Sequence, residues 1–453
     1  MTKESVIDNT NLSKFHMKMT IASTAGQLCD GYLLGIIAPA LPLFAAANLI
    51  TPTLLGMIGA ATLLGVFLGA LIFGRLTDKY GRRKLFILQL FLILILSLMH
   101  WFITDATQLL IIRFLLGVAI GGDYAVAGTL ISEFSPKKHR AVLMSLAPAM
   151  WTVGYVASFF IGALFVGENA WKWMLVSSAV PAFFVLLLRL TTPESPRWLA
   201  IQGRKNEALA IIKKYVNPNA TLADLDTGKE THKAGYSVVL SKKYRGRLFF
   251  MSSIWVCQVF PYFAVFTYLP TIMKNISKHQ SVSESLLVNT FLVVGSILGL
   301  FIVNKIGRRP LAIMSFMLLT FSTLYIAIGY SALWIIVAFS PFAMVSSGAS
   351  VLDVVYPAEL FPTEIRATAT GVCVGISRLG AALGTFLVPI GISSFGTNAV
   401  MMVASLVCGV GLLICILYAP ETRGLALDDA ASVTDEDSSA RKYHKIVNGD
   451  KYE

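Results

Sequence analysis

Charged residues are scarce in this chain of 453 residues. They make up 14% of it, while hydrophobic residues make up 56% and the mean hydropathy is +0.70. A soluble domain carries roughly a quarter charged residues, and a core of this size cannot bury so much apolar surface. Most of the chain must therefore face lipid or neighbouring helices, which predicts a membrane protein.

Cysteine, histidine and catalytic motifs are equally sparse. The sequence has no P-loop and no HExxH, and its six histidines form no i, i+4 pair. We therefore expect no enzyme, no ATP hydrolysis, no cofactor and no metal site. The cysteines lie inside apolar runs without CxxC spacing, so we expect no disulfide; they are Cys29, Cys257, Cys373, Cys408 and Cys415.

Apolar runs long enough to cross a bilayer recur along the chain. They predict twelve spans, at 18–47, 53–75, 84–103, 107–134, 140–166, 171–190, 247–273, 284–304, 310–329, 332–360, 365–393 and 396–419. The net charge of +12 comes mostly from loops on one side of these spans, which is a topology signal and not a nucleic-acid site. The positive-inside rule puts both termini of a multi-pass plasma-membrane protein in the cytoplasm.

The polar segments divide the chain into five parts. We expect a cytoplasmic segment at 1–17, six-span units at 18–190 and 247–419, a cytoplasmic linker at 191–246 and a tail at 420–453. Residues 1–17 are polar, so no cleavable signal peptide is predicted. Apolar spacing within 205–216 predicts an amphipathic helix on the cytoplasmic face, and the composition from Asp428 onward predicts disorder.

Short motifs recur in one register. An acid followed seven residues later by an arginine occurs at Glu133/Arg140 and again 226 residues on, at 359 and 366. Gly81-Arg82-Arg83 recurs 226 residues on, at 307–309, and Pro193-Glu194-Ser195 has a counterpart 227 residues on, at 420–422. The register indicates a duplicated membrane unit, and transporters of this kind build a site between two halves.

The charged loops between spans are candidates for an inner gate, because ion pairs that form in one state and break in another give a bistable element. Surface salt bridges and plain topology signals are the alternative, but two copies in register favour a gate. We expect Arg75 to reach Glu133 at the foot of span 4. The gating candidates are Arg75, Asp78, Arg82, Glu133, Arg140, Arg308, Glu359 and Arg366.

Together these motifs resemble the major facilitator superfamily, in its sugar-porter and organic-ion branch. The resemblance rests on GRLTDKYGRR at 74–83, RFLLG at 113–117, both acid–arginine pairs, PESPRWL at 193–199 and PETRG at 420–424. It implies an all-α membrane protein with twelve transmembrane helices in two pseudo-symmetric six-helix bundles. It also implies a mid-membrane site, alternating access and a carrier that works as a single chain, a monomer, in the lipid bilayer.

Charges inside the predicted spans are functional candidates, because each costs at least a few kcal/mol at mid-bilayer. Asp30 and Asp123 are candidates for proton coupling. The alternative for either is a permanently paired structural acid, for instance with Arg113. Arg113 and Arg189 lie near span ends, where we expect them to snorkel. Asp353 is a third acid inside a span.

Arg378 in span 11 presents a planar fork suited to a carboxylate. Its partner is either substrate or an acid on another helix, Asp30 or Asp353. The pattern around Arg378 resembles anion-transporting members of the organic-ion branch. The other substrate-binding candidates are Tyr32, Tyr124, Trp151, Gln258 and Tyr262.

Two further resemblances bear on the substrate. The Asp-Gly-Tyr at 30–32 resembles the start of a motif of aromatic-acid/proton symporters, except that Leu33 replaces its second acid. Gly122-Asp123-Tyr124 resembles phosphate/proton symporters, although an acid in span 7 is missing. We therefore expect proton symport of a small organic anion. A proton-coupled sugar or polyol porter, a phosphate symporter and a transporter-like nutrient sensor stay open.

Overall fold

The structure, a computed structural model, describes residues 10–48, 50–222, 236–277, 282–328 and 332–422. These ranges contain α-helices and short 3₁₀ turns and no strand. The helices are α1 Lys14–Gly35, α2 Ile37–Ala47, α3 Pro52–Tyr80, α4 Arg82–Met99, α5 Ala106–Phe134, α6 Lys137–Gly162, α7 Ala170–Ser177, α8 Ala179–Leu190, α9 Pro196–Ile201, α10 Lys205–Tyr215, α11 Tyr236–Val239, α12 Arg245–Thr267, α13 Leu269–Ser277, α14 Val282–Ile306, α15 Arg308–Ile328, α16 Ala332–Gly348, α17 Leu352–Leu360 and α18 Thr363–Tyr418. The 3₁₀ turns at His100–Phe102 and Ala349–Val351 extend α4 and join α16 to α17.

The twelve predicted spans are confirmed, several of them as broken helices. Spans 1, 6 and 7 are the pairs α1/α2, α7/α8 and α12/α13, and span 10 is α16 with α17. Spans 11 and 12 form one run, α18, that breaks at Gly396 (φ 84°, ψ 168°). A lipid environment leaves no water to satisfy backbone groups, so apolar runs of this length become helices.

Corresponding helices pack in corresponding ways in the two halves. In the first half α3 packs on α5, α1 on α6, and α4 on α8. In the second half α14 packs on α16, α12 on the first part of α18, and α15 on its second part. The halves meet where α3 packs against α18 and α6 against α14. This correspondence confirms two pseudo-symmetric bundles.

Small residues set the closest helix contacts. A Cβ placed on Gly65 of α3 would lie 2.2 Å from the backbone oxygen of Phe114 in α5. A Cβ on Gly295 of α14 would lie 2.0 Å from the backbone oxygen of Met344 in α16. Both spacings are too short for any side chain, so the same pair of spans in each half depends on glycine for backbone contact.

The linker carries the predicted amphipathic helix as α10, with Ala208 and Ile212 buried. Tyr215 at its end stacks on Phe15 of α1, with ring centroids 4.6 Å apart. Helix α1 begins at Lys14, inside the predicted 1–17 segment. Residues 423–453, including the tail predicted to be disordered, lie outside the described residues. We call the side that carries Arg82, Arg308 and the linker the basic face.

Candidate functional site

A buried ion pair lies inside the first bundle. Arg189 of α8 and Asp123 of α5 approach to 2.7 Å, and their side chains are 0% and 1% exposed. Gln89 Nε2 donates to Asp123 Oδ1 at 2.6 Å, and Gln27 Nε2 donates to Asp123 Oδ2 at 3.3 Å. Asp123 is therefore held by one guanidinium and two amides, the arrangement that an ionised carboxylate needs away from water.

Arg189 is also held by backbone and by an aromatic ring. Its Nε donates to the Ala22 oxygen at 3.3 Å and its Nη1 to the Phe86 oxygen at 3.1 Å. The guanidinium carbon lies 3.5 Å from the centroid of the Phe86 ring. Gly26 leaves the space: a Cβ there would lie 1.7 Å from Arg189 Nη2 and 2.5 Å from Asp123 Oδ2.

The structure agrees with the alternative that Asp123 is a paired acid, although its partner is not Arg113. The expectation that Arg113 and Arg189 snorkel is wrong. The partner of Asp123 is Arg189, and Arg113 instead donates to the backbone oxygen of Leu33 at 3.1 Å. Neither arginine snorkels, since Arg113 is 1% exposed and Arg189 0%. The chain supplies acceptors inside the bundle for both, so neither has to reach the bilayer surface.

Asp30 lies in the same buried region and is less well held. Gln27 Nε2 is 3.5 Å from its Oδ2, whereas its Oδ1 has no hydrogen-bond partner among the described residues. The region thus contains two carboxyl groups, Asp30 and Asp123, and one guanidinium, Arg189, which Asp123 already binds. The arrangement leaves Asp30 as the acid with an open oxygen.

Arg378 lies between the bundles and not beside an acid. Its guanidinium carbon is 5.0 Å from the ring centroid of Tyr124 and 6.0 Å from that of Phe263. Its buried Nε has no hydrogen-bond partner, and no carboxylate of the described residues forms an ion pair with it. Neither of the expected partners, Asp30 and Asp353, forms an ion pair with Arg378 in the described residues.

An aromatic cluster joins the bundles next to Arg378. Trp151 stacks on Tyr155 with centroids 5.3 Å apart, and Tyr262 lies 6.1 Å from Trp151 and 6.0 Å from Tyr155. Phe263 and Phe266 extend the cluster along α12. The Tyr155 hydroxyl is buried and has no hydrogen-bond partner in the described ranges. The structure thus brings together Tyr124, Trp151, Tyr262 and Arg378.

Two predicted substrate residues have partners of their own. The Tyr32 hydroxyl is 2.6 Å from Ser177 Oγ, inside the first bundle. Gln258 Nε2 donates to the Ser346 backbone oxygen at 3.4 Å, a long bond inside the second bundle. No contact within the described residues joins Tyr32 to Arg378.

The first charged cluster on the basic face ties three parts of one bundle together. Arg82 Nη2 binds Glu133 at 2.7 Å, and the Ser195 hydroxyl also donates to Glu133. Glu194 Oε1 accepts the backbone N–H groups of Arg82 and Arg83, each at 3.0 Å. Glu194 thereby satisfies two free N–H groups at the start of α4, where a negative charge is favourable.

The second cluster repeats the first residue for residue. Arg308 binds Glu359 through two nitrogens, at 2.8 and 3.2 Å, and Thr422 donates to Glu359. The Glu421 carboxylate accepts the N–H groups of Arg308 and Arg309 at 3.0 and 3.1 Å. The motifs duplicated in the sequence therefore make the same ion pair and the same backbone hydrogen bonds in both halves.

A glycine with positive φ precedes the arginine in each cluster. Gly81 has φ 101° and Gly307 has φ 100°, values that L side chains rarely adopt. A Cβ would also lie 2.6 Å from Glu194 Oε2 at the first and 2.9 Å from Glu421 Oε2 at the second. Both conformation and space therefore require glycine at these turns.

These contacts correct part of the gating prediction. Arg75 is exposed, and Arg82 takes the place beside Glu133 that Arg75 was expected to fill, so that expectation is wrong. Arg366 Nε donates to the Phe361 backbone oxygen at 3.1 Å. The side chains of Asp78 and Arg140 lie outside the described part of the chain. Each of the two clusters lies within one bundle.

Comparison with known proteins identifies the family. Residues 12–433 match the family model described as "Sugar (and other) transporter". The chain belongs to this family of the major facilitator superfamily.

Relatives of this transporter agree over nearly its whole length. It is 38% identical to the inner membrane metabolite transport protein YgcS of Escherichia coli, over 94% of this chain and 96% of that protein. It is 28% identical to the benzoate transport protein of Acinetobacter baylyi, over 84% of each chain. The inward-open structure of the xylose transporter XylE from E. coli superposes with a TM-score of 0.78 at 20% identity, covering 92% of this chain and 100% of that one, which shows the fold.

The transporter's two bundles also touch at the face opposite the basic face. Tyr268 Oη donates to the Leu55 backbone oxygen at 3.2 Å. A Cβ on Gly56 would lie 2.3 Å from the Phe386 oxygen of α18. Nearer the middle, Thr152 Oγ1 and Ser347 Oγ are 3.3 Å apart. In this member of the family, the two bundles therefore meet around Arg378 and the aromatic cluster.

Sequence reasoning missed several of these residues. The residues that hold Asp123 lie in apolar runs: Gln27, Gln89 and Arg189. A polar residue inside a predicted span was the only signal that could have marked them. Glu194 and Glu421 were visible as a repeated motif, but their register does not say that they bind the start of the third span of each half.

Proposed function

We propose that this member of the family is a secondary active transporter that moves a small organic anion, a carboxylate, together with a proton by alternating access. It works as a single chain in the plasma membrane, with both termini in the cytoplasm. The observation that carries the proposal is Arg378, a cation between the bundles that forms no ion pair with a described acid.

Arg378 is half-buried, and its buried Nε has no hydrogen-bond partner among the described residues. Leaving a buried donor unsatisfied is costly, and an anionic substrate supplies the missing partner. The planar fork of Arg378 suits a carboxylate, and hydrogen bonds to charged groups contribute about 1.5–3 kcal/mol each. The rings of Tyr124, Trp151 and Tyr262 offer an apolar wall for the rest of a small acid. The similarity to a benzoate transport protein supports the same substrate class.

Proton coupling belongs to Asp30 in this proposal. Asp123 is saturated by Arg189 and two glutamines, so its role is to position Arg189. Asp30 keeps an oxygen without a partner among the described residues, and it shares Gln27 as a hydrogen-bond partner with Asp123. The bound anion neutralises Arg378 and the proton neutralises Asp30, so in this proposal the two cross the membrane together without an unpaired charge.

The clusters around Arg82 and Arg308 act at the inner gate. Their ion pairs are only partly exposed, between 10% and 14% for the four side chains, so they are strong enough to hold one state. Each fixes the basic end of one bundle, so each bundle moves as one body when the inner gate opens toward the cytoplasm.

A neutral sugar is the second candidate, because relatives include a glucose transporter of Staphylococcus epidermidis at 29% identity and the fold matches a xylose transporter. Binding to purified protein separates the two. We expect an aromatic or sugar acid to stabilise the wild type against heat, and Arg378→Gln to lose that effect. Xylose or glucose stabilising both proteins equally would refute the anion assignment.

Uptake into proteoliposomes then tests transport and coupling. With the anion found above, Arg378→Gln should lower uptake by at least tenfold. Arg204→Gln, at an exposed arginine just before α10, is the matched control and should transport like wild type. Asp30→Asn should keep exchange of labelled for unlabelled anion while losing accumulation driven by a pH gradient. Binding without any uptake by wild type would instead indicate a sensor.

A further inference from the structure

A groove of about 390 Å³ opens on the lateral surface of the first bundle, at its basic end. It lies between the start of α1 and the end of α8. Lys14, Met17, Lys18 and Ile21 line it from α1, and Leu188 lines it from α8. The groove therefore pairs two cations with an apolar floor.

The four α1 residues occupy one side of the helix, at positions i, i+3, i+4 and i+7. All four are exposed, whereas positions 16, 19 and 20 between them are buried. At 1.5 Å per residue, Ile21 lies about 10 Å deeper along the axis than Lys14. The cations thus lie at the rim and the apolar side chains lie toward the bilayer core.

The charge around the groove has one sign. No acidic residue lines it. Arg83 adds a third cation, since its Nη2 donates to the backbone oxygen of Leu190, two residues beyond Leu188. A ligand that satisfies both parts has an anionic head at the depth of the lysines and an apolar chain that runs toward Ile21 and Leu188.

We propose that this groove binds one anionic glycerophospholipid from the leaflet at the basic face. Its phosphate lies between Lys14 and Lys18, and an acyl chain lies along Met17, Ile21 and Leu188. A soluble anion lacks the chain that the floor requires, and a zwitterionic lipid lacks the net charge.

The groove lies directly outside the buried ion pair. Ile21 precedes Ala22, whose oxygen accepts Arg189 Nε, and Leu188 precedes Arg189 itself. A lipid seated there holds α1 against α8 on the outside of the contact that Arg189 makes inside. Binding therefore stabilises the bundle around Arg189.

Native mass spectrometry of the full chain in detergent, titrated with phosphatidylglycerol or phosphatidylcholine, tests the site. We expect wild type to bind phosphatidylglycerol more tightly. Lys14→Gln/Lys18→Gln removes the two charges that contact the anionic headgroup, so phosphatidylglycerol binding should weaken about 30-fold. The affinity for phosphatidylcholine should change little. Lys14→Arg/Lys18→Arg keeps both charges and should keep the affinity.

Two further variants separate the groove from diffuse attraction. Lys242→Gln/Lys243→Gln removes two exposed lysines at the end of the linker, just before α12, and should bind like wild type. Leu188→Trp fills the floor and should weaken both lipids. Equal losses in the two lysine pairs would overturn the proposal, as would unchanged binding in Lys14→Gln/Lys18→Gln. A groove filled by another part of the chain or by a second copy would give the latter result.

Discussion

A single added methyl group should disrupt the buried ion pair of the first bundle. In Gly26→Ala the new carbon would lie 1.7 Å from Arg189 Nη2 and 2.5 Å from Asp123 Oδ2. Van der Waals contact needs about 3.5 Å, so the guanidinium must move by about 2 Å. That movement breaks its 2.7 Å contact with Asp123 and strains its bond to the Ala22 oxygen.

Breaking a buried ion pair by removing one partner costs about 3–5 kcal/mol. Arg189 keeps its bond to the Phe86 oxygen on the far side, so it loses only part of its contacts. We therefore expect Gly26→Ala to lower the free energy of unfolding by about 2–4 kcal/mol. Gly74→Ala in α3 meets no atom within 4 Å and should change it by less than about 1 kcal/mol.

Unfolding by SDS in mixed micelles measures both variants against wild type. In a chain that also carries Asp123→Asn and Arg189→Gln the ion pair is absent, so the cost of Gly26→Ala should fall by more than half. Gly26→Ala unfolding at the same SDS fraction as wild type would show that the pair does not lie against α1, and the reasoning on Arg189 would fail.

Other parts of the structure give smaller, separate effects. Glu194→Gln and Glu421→Gln each weaken two hydrogen bonds from backbone N–H groups, so both should cost about 1 kcal/mol in the same SDS assay; a clear difference would contradict the equivalence of the halves. Tyr268→Phe removes a hydrogen bond between the bundles worth about 1 kcal/mol, so the ratio of conformations closed and open at that face should change roughly fivefold. Distances between spin labels on the two bundles measure this ratio, and an unchanged distance distribution would contradict the prediction. Glu207→Gln breaks an ion pair whose side chains are 50% and 58% exposed, so it should unfold at the same SDS fraction as wild type, and a clear shift would contradict its assignment as a surface pair.

The sequence predicted the spans well because hydropathy is the property that the bilayer selects. Apolar length located all twelve, and the gap predicted between 393 and 396 falls at the break in α18. The repeated motifs predicted the two-fold arrangement because equal spacing along the chain becomes equal position in two bundles.

Partners across the bundle were harder to predict. Asp123 and Arg189 are 66 positions apart, and no local period relates two helices that touch only after packing. Arg75 lies inside α3 and Arg82 begins α4 after the turn at Gly81, and the sequence does not say which of them faces Glu133. Hydropathy finds such residues but does not pair them.

Glu194 and Glu421 lie where the chain leaves the sixth span of each half, and each fastens that point to the turn that begins the third span. These hydrogen bonds hold the third and sixth spans of each half together at the basic face. We therefore expect each half to move as one rigid body, with sliding confined to the contacts between spans 2 and 11 and between spans 5 and 8. A covalent cross-link within either bundle should leave that movement free, whereas a cross-link between spans 2 and 11 or between spans 5 and 8 should stop it.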